Sequence, residues 1–124
     1  MTEFMNCVVA YIQPFQLVRV VNALRALPEF PGMSVTHMRG FGHLEAHPPH
    51  IGEPTEVDAF KQKVRIEVFC LGSRVAPIVA SLRDAARTGN PGDGIIFVMD
   101  LAWAYRIRDS QEGPTVLGAR GDQE

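Results

Sequence analysis

No run of apolar residues in this 124-residue chain approaches the roughly 18 that a membrane helix needs, so direct membrane insertion is not expected. The opening Met-Thr-Glu-Phe lacks the basic start of a secretory leader, and the expected location is the cytoplasm. A basic surplus is missing as well. Twelve Lys and Arg against 14 Asp and Glu leave a formal charge of −2, without the basic face that nucleic acid demands. Cysteine is scarce: Cys7 and Cys70 each sit inside a β-type apolar run with no second Cys or His beside them, which points to buried, reduced thiols. No serine has an adjacent base. Ser34, Ser73, Ser81 and Ser110 stand apart from one, and Asp93 lies in a turn, so nucleophilic catalysis lacks its machinery and a non-enzymatic role is expected.

What is present suffices for one domain: 46% of the residues are hydrophobic, too many for a disordered chain. Residues 5 to 13 are β-branched and aromatic over a short run that Pro14 ends, which predicts a first strand. From Phe15 the period lengthens. Leu17, Val20, Val21, Leu24 and Leu27 recur at three- and four-residue steps, predicting an amphipathic helix that stops before Pro28. Met33 to Arg39 and Lys63 to Leu71 alternate as strands, the latter with Val64, Ile66, Val68 and Cys70 on one face. Val75, Ile78, Val79, Leu82, Ala85 and Ala86 stripe a second helix, and Ile95 to Met99 reads as a fourth strand. A short element from Asp100 to Arg108 follows, and 110–124 is predicted to be a flexible tail on a domain of residues 1–109.

Between His43 and Gln62 no period survives, and this stretch is predicted to be a long protruding loop, of a length that is usually functional. The element order is then β-α-β-(loop)-β-α-β, the α+β ferredoxin-like βαββαβ sandwich, in which two helices cover one face of an antiparallel sheet. The uncovered face still carries apolar residues, which predicts self-association.

Arg87 to Met99 is the most informative stretch. Three glycines and a proline fall within Gly89–Gly94, between a helical pattern and a β-branched run. A plain connection accounts for one glycine; Gly92-Asp93-Gly94 suggests a loop whose backbone N–H groups converge on an anion, typically a phosphate.

Gly32-Met33-Ser34-Val35-Thr36, Arg39-Gly40-Phe41-Gly42, Lys63-Val64-Arg65-Ile66-Glu67-Val68, the glycine loop and Arg106-Ile107-Arg108 occur in one order that closely resembles the PII signal-transduction family. The resemblance implies a homotrimer that binds ATP or ADP in clefts between subunits and controls a transporter, enzyme or regulator through its large loop. It places Gly40, Phe41 and Gly42 beside the nucleotide and Thr88 near the adenine. Gly89, Gly92, Asp93 and Gly94 come around the phosphates, with Arg106, Arg108 and Lys63 as their cationic contacts. Guanidinium forks suit phosphate bidentately.

The departures are chemical. Asn90 and Ile95 replace two family lysines, and each lost contact to a charged group is worth about 1.5–3 kcal/mol, so ADP or AMP is expected to be favoured over ATP. His43 and Leu44 replace an arginine and a glutamine; the glutamine helps hold magnesium and 2-oxoglutarate in the family, whereas leucine offers no donor or acceptor. The loop has no tyrosine, so control by uridylylation is not expected. It does have His43, His47 and His50, and imidazoles suit a divalent metal. One alternative function is therefore a metal-sensing module linked to metal efflux, as in divergent PII-like proteins that this chain resembles; another, ranked below it, is a weak nucleotide-hydrolysing enzyme of the same fold.

Overall fold

The computed structural model describes residues 3–40 and 61–118. Strand β1 (Met5–Ile12) leads through a 3₁₀ turn (Pro14–Gln16) into helix α1 (Leu17–Arg25). Strands β2 (Ser34–Gly40) and β3 (Lys61–Leu71) follow, then a 3₁₀ turn (Gly72–Arg74), helix α2 (Val75–Ala86) and strand β4 (Gly94–Asp100). Pro14 ends β1 because it has no N–H for the ladder, and its fixed φ suits the first position of the turn that follows.

The four strands form one antiparallel sheet in the order β2-β3-β1-β4, as the ferredoxin-like reading requires. Register decides which side chains meet. Val8 lies between Val68 and Val98, and Ala10 between Ile66 and Ile96, so these residues share one face. Val20 and Leu24 of α1 and Ile78 and Leu82 of α2 cover that face and close the core. Cys7 pairs with Phe69 whereas Cys70 pairs with Asn6, so the two thiols face opposite sides of the sheet. Both are free. Burial pushes the Cys70 thiol up to about 11 and also raises Cys7, which leaves both protonated and unreactive at neutral pH.

The second face is only partly covered. Tyr11 and Phe97 meet edge to face at 5.6 Å, yet Phe97 is 39% exposed and Met99 46% exposed on edge strand β4. Ile95 continues this apolar stripe at 40% exposure.

Three expectations change. Strand β3 starts at Lys61, two residues early, because the alternation extends into the end of the expected loop; residues 43–60 lie outside the described residues. The short element expected over Asp100–Arg108 runs instead into a narrow hairpin over 104–113: Tyr105 bridges Glu112, Arg106 N–H donates to Gln111 O at 3.0 Å, and Gly113 N–H donates to Ala104 O at 2.8 Å. The flexible tail is corrected as far as Gly118. A 3₁₀ turn (Pro114–Leu117) buries Val116 and Leu117 against Met5, with Phe69, Leu71, Leu101 and Ala104 around them. Burial of these two side chains on the open sheet face ties the segment down.

Candidate functional site

The glycine loop connects α2 to β4, and its glycines have separate physical roles. Gly89, Gly92 and Gly94 adopt φ of 87°, 91° and 116°, which side chains strongly disfavour. Gly94 is also where the chain enters the ladder beside Ile12.

The first half of the loop already holds an anion. Asp93 Oδ2 accepts the backbone N–H of Thr88 at 2.8 Å and of Gly89 at 2.9 Å, while Oδ1 accepts the Thr88 hydroxyl. Thr88 Oγ1 in turn accepts the Asn90 N–H at 3.1 Å. The amides of residues 88 to 90 are thus turned onto the chain's own side chains, within the stretch Gly89–Gly94 where a phosphate cradle was expected. The underside of the loop is anchored. Gln13 Nε2 donates to Gly92 O at 2.6 Å and Lys63 Nζ at 3.0 Å. Lys63 is only 1% exposed. Its described contact is therefore a positioning one, holding the loop from beneath.

The donors on Asp93, with the Thr88 hydroxyl foremost, hold its carboxyl below the usual carboxylate range. A folded-state value below the unfolded one contributes stability that is present above about pH 4 and lost as pH falls through the folded value. Asp93→Asn is therefore expected to be less stable than the wild type in urea at pH 7. The gap should close as the titrations are repeated at progressively lower pH below about 4; a gap independent of pH contradicts the assignment.

Gly40 closes β2 opposite Lys61, and Met38 lies opposite Lys63, so Gly40, Lys63, Thr88 and Gly89–Gly94 all gather at one end of the sheet. Phe41, Gly42, His43, His47 and His50 lie outside the described residues. Among the described residues, no group of three or more His, Cys, Asp or Glu is arranged to hold a metal.

Arg106 and Arg108 sit elsewhere. Leu101 N–H donates to Met5 O at 3.0 Å, and Ala104 packs near Met5, so the hairpin carrying both arginines lies at the opposite end. The seven residues of β4 separate the two ends by about 20 Å. Arg106 donates through Nε and Nη2 to the Asp109 carboxylate at 3.1 and 2.9 Å, and Arg108 reaches the same carboxylate at 4.0 Å. The fork geometry expected for a phosphate is thus displayed on a carboxylate.

Sequence reasoning missed several residues. Gln13 follows a strand and has no local mark; only the fold brings it under Gly92. A cavity of about 340 Å³ opens between the end of α2 and the loop, lined by Tyr11, Leu82, Arg83, Arg87, Asp93, Gly94 and Ile95 among others. The four-residue spacing of Arg83 and Arg87 next to a glycine loop was a usable clue. A second pocket of about 430 Å³ is lined by His37, Met38, Arg39, Gln62 and Lys63. His37, expected to be structural, is exposed there on edge strand β2.

These features define a ferredoxin-like sandwich with a glycine loop and a long β2–β3 insertion at one end of its sheet. Residues 5–111 match the family described as "Nitrogen regulatory protein P-II", and the chain belongs to that family of signal-transduction regulators. It is 37% identical over 109 residues to the P-II protein of Cereibacter sphaeroides and 34% identical over 109 residues to that of Rhizobium meliloti (strain 1021). In both cases the match covers 88% of this chain and 96% of the relative. The crystal structure of Arabidopsis thaliana PII bound to citrate superimposes with a TM-score of 0.71 at 27% identity, covering 90% of this chain and 87% of that one.

Proposed function

We propose that this protein is a non-enzymatic regulator that binds an adenine nucleotide in clefts between the copies of a homotrimer and controls a partner protein through residues 43–62. The observation that carries this reading is the separation of the two anion-binding parts. The backbone from Gly92 to Gly94 and the pair Arg106 and Arg108 lie at opposite ends of one sheet, so they close on a single ligand only when supplied by different copies. The exposed stripe of Ile95, Phe97 and Met99 supports such an assembly, because an apolar edge strand gains by being covered. Anion recognition fits the family as well, since the Arabidopsis relative is bound to citrate, an anion.

Coupling to a partner follows from where the insertion is rooted. Gly40 and Lys61 are paired neighbours, so both roots of segment 41–60 leave the sheet two residues from buried Lys63, which holds the glycine loop. A nucleotide that favours one arrangement of these roots shifts the population of the segment, and differential affinity for two states is what makes a switch. The target class, transporter, enzyme or regulator, is read by that segment.

Calorimetric titration of the purified oligomer with ATP, ADP and AMP tests the proposal. One site per copy is expected, with ADP or AMP tighter than ATP because Asn90 and Ile95 supply no charge. Absence of heat with all three at millimolar concentration overturns it.

A further inference from the structure

A polyphosphate at this glycine loop meets an unfavourable local field. Asn90 and Ile95 contribute no cation, Asp93 places a carboxylate within the loop, and Lys63 directs its ammonium at Gly92 O. Helix α2 ends at Ala86, so the negative pole of its dipole also lies beside the loop. Something positive must face the ligand from this side if the site is to hold more than one phosphate.

Two side chains do. Arg83 lies in the last turn of α2 and Arg87 is the extended residue that caps it, and both are exposed. Both line the 340 Å³ cavity whose lining also includes Asp93, Gly94 and Ile95. Among the described residues neither is in a salt bridge. Complementing the helix dipole accounts for Arg83 in the last turn, but not for both arginines lining a cavity walled by the glycine loop.

We infer that Arg83 and Arg87 are phosphate-binding side chains of the nucleotide site, supplying part of the positive charge that positions 90 and 95 lack. The inference rests on the nucleotide reading above and assigns it two residues that the family resemblance does not supply. Arginine is suited to the role: its fork binds phosphate oxygens bidentately and stays charged at every accessible pH. The rest of the cavity lining, including Tyr11, Ile12, Leu82 and Ile96, is largely apolar, so the two arginines are its cationic groups.

The test compares the wild type with Arg83→Gln, Arg87→Gln, the double variant and a double lysine variant, each titrated with ATP, ADP and AMP at low and high salt. Each glutamine is expected to weaken ATP about tenfold, and the double variant about a hundredfold, whereas AMP changes only a few-fold. The lysine variant should recover most of the ATP affinity, and the salt dependence for ATP should flatten in the double glutamine variant. Loss of the three nucleotides by one common factor, or no loss, overturns the inference while leaving the nucleotide site standing. Failure of the wild type itself to bind any of the three overturns the nucleotide reading and this inference with it, and is seen before any variant is made.

Discussion

Gly94→Ala is expected to melt roughly 10 °C below the wild type, a loss of about 3 kcal/mol. Two independent costs coincide at this residue. Its φ of 116° lies in a region where a Cβ is disfavoured, and a Cβ built there falls 1.8 Å from the carbonyl oxygen of Tyr11. That oxygen belongs to the backbone of a central strand, so it cannot swing aside as a side chain would. The neighbouring ladder, in which Ile12 pairs with Gly94 and Tyr11 with Ile95, has to part or the loop has to be rebuilt. Gly89→Ala is the control. It also has a positive φ, of 87°, but no atom lies within 4 Å of its Cβ position, and about 1 kcal/mol is expected. Thermal unfolding followed by circular dichroism separates the two; equal losses would show that conformation alone, without the collision, sets the cost at Gly94.

Arg106→Gln combined with Arg108→Gln is expected to weaken ATP binding by a hundredfold or more, with a melting temperature within a few degrees of the wild type. Asp109 makes this separable. The carboxylate that loss of its ion pair with Arg106 leaves behind is part-exposed and stays reachable by water, so the loss of the pair costs the fold little. In the proposed cleft both guanidinium contacts from the hairpin are lost. Parallel measurement of nucleotide affinity and thermal stability checks the pairing of outcomes, and a variant that binds ATP normally removes the arginines from the site.

The fold was legible because its periods are clean. Val64, Ile66, Val68 and Cys70 alternate into the core as expected, and Leu82, Ala85 and Ala86 complete the stripe of α2. Lys63 shows where that logic stops. It falls on the face that alternation assigns to solvent, but Gln13 and the glycine loop, distant in sequence, close over it. Val116 and Leu117 carry no sequence signal for a related reason: two apolar residues in a polar stretch have no period, and only Met5, near the other end of the sequence, gives them something to cover. At the site, the glycines and the Arg-x-Arg pair were visible as residue types. Their separation to opposite ends of the sheet was not, because it depends on the direction of β4 and on the hairpin at 104–113. Nor was the capture of Thr88 and Gly89 by Asp93, a local bond that competes with any outside anion for the same amides.

Each proposed cleft joins one copy's glycine loop to another copy's arginines, and subunit mixing tests that pairing directly. Gly92→Ala disturbs the loop through its φ of 91° and its approach to Gln13, while Arg106→Gln with Arg108→Gln removes the cations. The two defective chains are denatured together in equal amounts, refolded, and titrated with nucleotide. Clefts built from two copies predict that about one quarter regain both intact halves in a randomly mixed cyclic assembly, so high-affinity binding returns although neither parent has it. A mixture that binds no more nucleotide than its separate parents would place the whole site within one chain and contradict the account.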